Sequence, residues 1–516
     1  MTKQSFLQGT LILILAGMIT RLLGFINRLA MARIMGEEGI GIYMMALPTL
    51  FLVITLTQLG LPIAISKRVA EAEAKGNQRK VKQILVISLM IVGVTSIIFS
   101  LGLFISTPII ATRLLTDERT LYPLLLICPI VPVIAFASVL KGYFQGKQNM
   151  KPQSYAIIIE QVVRIGFVIF FIKLLLPFGL EYAAAGAMFS VLIGECASLL
   201  FIVYMFKQKK TLKLRNKFFS FVRSSKDTVK ELFSIALPST GSRMIGSFAN
   251  FLEPILVAQS LAIAGISTTM ATRLYGELTG YVMPLLFLPT FITISLSIAL
   301  VPSISEADAY ENEDLIHYRI HQAIRISFAS GALATIVLTL FSDQILMFMY
   351  GTTHATRLLQ FMAPFYILLY IQAPLQSSLQ ALDLARPAMW NSIIGSVCKL
   401  CLLFILASNP NIGIMGVAIA MSVGVILITL LHLMTLIKTI RFSIPFMDLG
   451  KMIVLLLLTT GFGYLLKNTP LLQINQLSIF VFVLILLSFI YIFLLFVLKF
   501  ISKEELKQIP FLQKWL

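Results

Sequence analysis

The stretch IFVFVLILLSFIYIFLLFVL, residues 479–498, contains no charged side chain. A helix needs about 20 apolar residues to cross the roughly 30 Å hydrocarbon core of a bilayer, so this stretch is long enough to span a membrane. Fourteen such windows recur along the chain, at residues 6–33, 40–66, 84–109, 121–140, 154–176, 182–206, 232–261, 274–301, 323–341, 358–382, 388–406, 413–437, 452–466 and 479–498. None alternates polar and apolar residues as the strands of a membrane barrel do. The sequence therefore predicts an all-α polytopic membrane protein with 14 transmembrane helices.

The composition excludes a soluble multidomain enzyme. Of 516 residues, 58% are hydrophobic and 12% are charged, whereas a soluble domain has about one-quarter charged residues. The formal net charge of +18 would suggest nucleic-acid binding in a soluble protein. The four cysteines lie in apolar runs, without the loop spacing of a disulfide framework.

The distribution of the basic residues predicts the orientation. With the N-terminus and every second loop on one side, that side holds 28 of the 41 Lys and Arg residues, and the opposite side holds 7. Cytoplasmic loops carry the excess of Lys and Arg in membrane proteins, so both termini are predicted to be cytoplasmic. The net charge then reflects topology and contact with anionic membrane lipids, and no nucleic-acid partner is expected.

An internal repeat predicts the domain organisation. At an offset of 222 residues, Arg21 meets Arg243 and Gly24 meets Gly246, and further matches follow in the same order along the chain. The predicted domains are an N-terminal six-helix lobe, residues 1–225, a C-terminal six-helix lobe, residues 226–440, and two additional helices with a cytoplasmic tail, residues 441–516. Because each repeat has an even number of spans, both copies enter the membrane in the same orientation. Two lobes around a central cavity, opening alternately to each side, follow from this arrangement.

Charged residues inside predicted spans indicate the site, because lipid disfavours them. Arg21 and Arg28 are seven residues apart and therefore share one helix face. Arg243 and Asn250 occupy the equivalent positions of the second repeat, and Arg273 stands at the start of the eighth span. We expect these residues to bind a pyrophosphate, since guanidinium groups pair well with phosphate. The alternative for Arg21 and Arg28 is snorkelling or structural pairing with a carboxylate.

Three further charged residues are candidates for ion coupling or for a structural role. Glu160 and Arg164 are four residues apart on one predicted helix, where they can form an ion pair. Glu253 follows Asn250 by three residues and is a candidate protonatable carboxylate. We expect no metal site, no cofactor and no catalytic residue, because the chain has no metal-binding or catalytic motif in a suitable context.

Three segments carry a resemblance to a known family. They are TRLLGFINRLAMARIMGEEGIGIYMMA at residues 20–46, LTQLGLPIAISKRVAEAEA at 56–74, and KGYFQGKQNMKP at 141–152. These segments resemble the lipid II flippase family, in the polysaccharide transport branch of the multidrug/oligosaccharidyl-lipid/polysaccharide exporter superfamily. The resemblance implies a flippase that moves an undecaprenyl-linked peptidoglycan or polysaccharide precursor across the cell membrane for spore cortex synthesis. It also implies that Arg21 and Arg273 are cavity arginines.

The chain departs from the family pattern at one point, and other functions stay open. Flippase relatives carry Arg then Asp after the Gly-Phe pair, where this chain has Asn27 and Arg28. Related drug exporters often use an Asp in the first helix for cation coupling, and this first span has none. The alternatives are a cation-coupled multidrug exporter, a non-transporting scaffold for cell-wall synthesis, and a membrane glycosyltransferase with Glu253 as its catalytic candidate. The expected partners are the lipid-linked saccharide, membrane lipids and cell-wall synthases.

Overall fold

The computed structural model of the chain describes residues 6–208, 226–443, 445–469, 476–498 and 500. These residues form helices and short connections, and no strand occurs among them. The α-helices are α1 Phe6–Gln58, α2 Leu61–Ala74, α3 Gln78–Ile109, α4 Leu121–Gly146, α5 Lys151–Leu175, α6 Leu180–Gln208, α7 Lys226–Ile263, α8 Thr268–Gly276, α9 Met283–Phe287, α10 Thr290–Ala309, α11 Glu313–Leu340, α12 Ser342–Tyr350, α13 Thr356–Ala381, α14 Ala385–Ala407, α15 Ile414–Ile440, α16 Phe446–Lys467 and α17 Leu477–Val497. Many of the predicted cytoplasmic cations lie at 209–225 and after residue 500, outside the described residues.

Thirteen candidate membrane spans occur in the described part of the chain, by length and composition. The prediction of an all-α polytopic membrane protein is therefore confirmed. The first candidate, Leu15–Ala74, has 60 residues and covers the first two predicted windows. At about 1.5 Å per residue, 60 helical residues would extend about 90 Å, three times the hydrocarbon thickness. Each of the other twelve candidates overlaps one of the remaining predicted windows.

The long first helix is interrupted at Gly36. Its backbone there has φ 71° and ψ −174°, which breaks the helical geometry inside α1. This region is open almost only to glycine, because a Cβ atom would clash with the backbone. Gly36 therefore separates the segment with Arg21 and Arg28 from the segment that follows it. We call residues 36–41 the Gly36 corner.

The eighth predicted window, 274–301, is not one continuous helix in the structure. The chain there forms α8, a π-helical segment Glu277–Val282, the short helix α9, and then α10. Pro284 lies in the first turn of α9, and Pro289 is the N-cap residue of α10. Proline has no N–H to donate, so it interrupts the hydrogen bonds of a continuous helix.

The helices group into two compact units. The first comprises Met1–Gly280 and Leu400–Val417, and the second comprises Tyr281–Lys399 and Ala418–Leu516. In the first unit, buried side chains of α2, α3 and α4 form an apolar core. In the second, buried side chains of α10, α11, α13, α16 and α17 form another. All the predicted site residues belong to the first unit, and the lobe boundaries at residues 225 and 440 stay a prediction.

Candidate functional site

Two of the residues predicted to bind a pyrophosphate, Arg21 and Arg28, lie on α1 before Gly36. The side chain of Arg21 is exposed, and that of Arg28 is partly buried. Neither makes a hydrogen bond or ion pair with any residue that the structure describes. Arg28 lies within electrostatic range of the buried Tyr43, which follows the Gly36 corner. Both guanidinium groups are therefore available to an anionic ligand.

The second-repeat counterparts lie on α7. Arg243 and Asn250 are both exposed, and within the described part of the chain neither forms a hydrogen bond or ion pair. The α7 helix packs against α1, where the Thr55 and Ser247 hydroxyl groups are 2.9 Å apart. This contact joins α7 to the part of α1 that follows the Gly36 corner.

Arg273 is the last of the five residues predicted to bind a pyrophosphate, and two carboxylates hold its side chain. Its Nε donates to Glu37 Oε2 at 2.7 Å and lies 3.5 Å from Glu277 Oε1. The hydrogen bond to Glu37 raises the pKa of the Arg273 guanidinium above its ordinary value. Arg273 is thus a paired cation in this conformation, unlike Arg21 and Arg243.

A second set of ion pairs lies next to Arg273. Arg119 forms ion pairs with Glu38 of the Gly36 corner and with Asp117, and its Nη2 is 2.8 Å from Asp117 Oδ2. The Thr272 hydroxyl donates to the same Asp117 oxygen at 2.6 Å. Burial raises the pKa of Asp117, but the hydrogen bonds from Arg119 and Thr272 outweigh it, so the pKa lies below its usual value. Asp117 is therefore ionised at neutral pH and joins the 115–120 turn to α8.

Glycines let the two segments touch backbone to backbone. A Cβ atom on Gly41 would lie 2.1 Å from the carbonyl oxygen of Thr272, and one on Gly276 would lie 1.9 Å from that of Glu37. Neither distance is compatible with any larger residue. The Gly36 corner and α8 therefore form a closed contact around the two sets of ion pairs.

The ion pair that the spacing predicts between Glu160 and Arg164 is present, and a third residue joins it. Arg164 Nη2 lies 2.6 Å from Glu160 Oε1 and 3.8 Å from Glu195 Oε1 on α6. Each carboxylate side chain is about nine-tenths buried, and Glu195 Oε2 has no hydrogen-bond partner. Lys141 of α4 lies within electrostatic range of Glu195. Arg164 thus balances two carboxylates in the interior of the first unit.

The α5 and α6 helices approach closely at Gly194. A Cβ atom there would lie 2.9 Å from the carbonyl oxygen of Glu160. We expect Gly194→Ala to lower the free energy of unfolding by about 1–3 kcal/mol, because α6 must move away from α5. Thermal unfolding of the purified protein in detergent measures this change.

The control for this prediction is Gly166→Ala, also on α5. A Cβ atom on Gly166 would have no neighbour within 4 Å. Alanine at an open helical position stabilises by about 0.5–1 kcal/mol. Equal unfolding temperatures for the two variants would show that the close approach does not limit stability.

Glu253 lies on α7, partly buried, three residues after Asn250. It is within electrostatic range of the buried Tyr275 of α8 and makes further interactions. Sequence reasoning missed Glu37, Glu38 and Asp117. A signal was available in the acidic pair flanked by two glycines at 36–39 and in the four-residue spacing of Arg273 and Glu277.

Comparison with known proteins identifies the family. The protein-family model described as "Polysaccharide biosynthesis protein" matches residues 6–308, more than half of the chain. The chain belongs to the polysaccharide biosynthesis protein family. A second model, MatE, matches residues 254–405.

Two relatives from Bacillus subtilis (strain 168) agree with this assignment. The chain is 49% identical to "Stage V sporulation protein B" over 510 residues, which cover 99% of this chain and 98% of the relative. It is 25% identical to "Lipid II flippase MurJ", covering 78% of this chain and 77% of the relative. The resemblance stated from the sequence motifs is therefore confirmed.

A solved structure agrees on the fold. It is titled as the inward-facing conformation of a multidrug resistance MATE family transporter of the MOP superfamily. It superposes with a TM-score of 0.64 at 17% identity, over 82% of this chain and 94% of that chain. The family member described here thus has the MATE-like fold of a multi-pass membrane protein.

Proposed function

We propose that this protein is a flippase. It moves an undecaprenyl-linked peptidoglycan or polysaccharide precursor across the cytoplasmic membrane and serves spore cortex synthesis. The family supports a role in polysaccharide biosynthesis, and the names of the two relatives supply the sporulation role and the lipid-linked substrate. In this proposal the chain crosses the membrane fourteen times, with both termini in the cytoplasm.

One observation carries the proposal. Arg21 and Arg243, at equivalent positions of the internal repeat, lie on apolar helices and have no partner among the described residues. An unpaired guanidinium in a spanning helix is costly and is retained where it meets water or a ligand. A diphosphate supplies the charge and the bidentate geometry that guanidinium groups bind best. In our proposal, Arg21, Arg28, Arg243 and Asn250 therefore line the cavity where the diphosphate binds.

The transport step proposed here is alternating access of two lobes, residues 1–225 and 226–440. The two repeats rock against each other, and the saccharide crosses through the cavity between them. The isoprenoid chain stays in lipid beside the two additional helices of residues 441–516. Glu253 is our candidate for a protonatable coupling group, and we assign Glu160 and Arg164 a structural role because Arg164 also contacts Glu195.

Ligand-dependent stability tests the binding step. A ligand that binds only the folded protein at 100 times its Kd stabilises that protein by about 2.7 kcal/mol. We expect undecaprenyl diphosphate to raise the unfolding temperature of the purified protein in nanodiscs. Undecaprenol has the same isoprenoid chain without phosphate and is the matched control. Equal effects of the two lipids would contradict a site for the diphosphate.

A further inference from the structure

The connection between α15 and α16 is held against α11. His317 Nε2 donates a hydrogen bond of 2.8 Å to the carbonyl oxygen of Ile440, the last residue of α15. The ring centroid of Phe442 lies 4.5 Å from that of His321 and 5.9 Å from that of His317. The Phe442 side chain is 1% exposed. Two histidines one turn apart on α11 therefore fix the backbone at the end of α15 and bury the ring that follows it.

The cations next to Phe442 face outward. The backbone of Arg441 has φ 53°, in the left-handed region, which turns the chain out of the helical path of α15. Arg441 and Lys438 are both exposed. Neither forms an ion pair or hydrogen bond with any residue in the described ranges. Both cations at the end of α15 can therefore bind an anion.

The first two residues of α16 are apolar and exposed. Phe446 is 89% exposed and Met447 is 71% exposed, and no large apolar side chain in the described part of the chain is more exposed than Phe446. Both residues lie between the predicted spans 413–437 and 452–466. Asp448 and Lys451 follow directly on α16. Because hydrocarbon disfavours charged residues, we place Phe446 and Met447 at the level of the lipid headgroups.

We propose that Lys438, Arg441, Phe446 and Met447 form a binding site for an anionic phospholipid, and we call these four residues the link site. The two cations bind the phosphate and the headgroup charge, while Phe446 and Met447 pack on the glycerol and the upper acyl chain. Apolar burial and attraction to anionic lipid act together in such interfacial sites. None of the four residues belongs to the proposed diphosphate site, so the link site stands or fails independently of the flippase function.

The contact with α11 makes the link site specific. Because α11 holds Ile440 and Phe442, the backbone that carries Arg441 is already ordered before a lipid binds. Such preorganisation lowers the entropy cost of binding. Each cation near an anionic headgroup increases the affinity about fivefold. We therefore expect the link site to prefer an anionic over a zwitterionic phospholipid by about 10-fold or more.

Quenching of tryptophan fluorescence by brominated lipids tests the link site. The two native tryptophans, Trp390 and Trp515, are replaced by Phe, and Phe446→Trp supplies the probe. Nanodiscs of phosphatidylcholine receive increasing fractions of brominated phosphatidylglycerol, which is anionic, or brominated phosphatidylcholine, which is zwitterionic. Both quenchers carry the same acyl chains, so a difference reports the headgroup. We expect brominated phosphatidylglycerol to reach half-maximal quenching at a fraction about 10-fold lower.

Matched variants assign the preference to the link site. Lys438→Gln with Arg441→Gln removes both cations, and the two lipids should then quench the probe equally. Lys67→Gln with Lys75→Gln is the control, because it makes the same change in charge at two exposed lysines of the first unit and should keep the preference. A second probe, Tyr310→Trp, replaces a side chain that is 79% exposed in an acidic stretch and should show no preference for the anionic lipid.

Every outcome bears on the link site. Equal quenching of the Phe446→Trp probe by the two lipids overturns recognition of an anionic headgroup, and no quenching by either overturns contact with lipid. A preference that survives the loss of Lys438 and Arg441, or that disappears in the control pair, belongs to other cations and also overturns the site. High salt gives a second measurement without a charge variant: screening should weaken the preference, and an unchanged preference would contradict its electrostatic origin.

Discussion

Arg21→Ala is expected to reduce translocation of a lipid-linked saccharide by about 10- to 100-fold. A hydrogen bond to a charged group contributes about 1.5–3 kcal/mol, and each 1.4 kcal/mol changes a rate or equilibrium about tenfold. Arg21 makes no ion pair with the described residues, so its removal leaves no buried carboxylate without a partner. Membrane insertion and thermal stability should therefore be preserved. The measurement is protection of a fluorescent precursor from a membrane-impermeant reducing agent in proteoliposomes.

Matched variants make this expectation specific. Arg243→Ala, the repeat-equivalent substitution, should have a similar effect. Arg21→Lys should be intermediate, because lysine keeps the charge but not the bidentate geometry. Arg33→Ala removes an exposed charge from the same helix and should leave the rate unchanged. Wild-type rates for both alanine variants of the repeat pair would contradict a role of these two arginines in translocation.

Arg164→Met is expected to have the largest effect on stability. It leaves Glu160 and Glu195 buried without the guanidinium that lies 2.6 Å and 3.8 Å from them. Loss of one partner of a buried ion pair costs about 3–5 kcal/mol, enough to unfold a marginally stable protein. Thermal unfolding and the yield of monodisperse protein in detergent measure this loss.

The compensating variant tests the physical reason. Replacing all three residues, Glu160→Gln, Arg164→Met and Glu195→Gln, removes both buried charges together with their partner. Most of the lost stability should return, because neutral side chains carry no uncompensated charge. A stable Arg164→Met protein that fails to transport would instead support a coupling role for this cluster.

The sequence predicts the spans well because one physical requirement dominates them. A helix that spans the lipid bilayer needs about 20 apolar residues and satisfies its backbone hydrogen bonds internally. Apolar windows of that length can be recognised directly in the sequence. The interruption of the eighth window is marked in the sequence only by its prolines, because the hydrophobicity of the window is continuous. There, Pro284 and Pro289 begin new helices.

The candidate site could be predicted only in part, because some of its contacts lie within one helix and others join different helices. The ion pair of Glu160 and Arg164 follows from spacing on one helix. Glu195 joins it from α6, and Glu37 reaches Arg273 across more than 230 residues. Such contacts depend on which helices pack together, and no local periodicity encodes that choice. Arg273 could therefore be proposed as a cavity cation, but its carboxylate partners could not.

Parallel transport of two substrates distinguishes a flippase for lipid-linked saccharides from a drug exporter. Wild-type proteoliposomes receive either a fluorescent undecaprenyl diphosphate saccharide or a cationic dye, and initial rates are compared with protein-free liposomes. We expect translocation of the saccharide lipid well above the protein-free rate and no transport of the dye. Transport of the dye, with the saccharide lipid at the protein-free rate, would contradict the proposed flippase function.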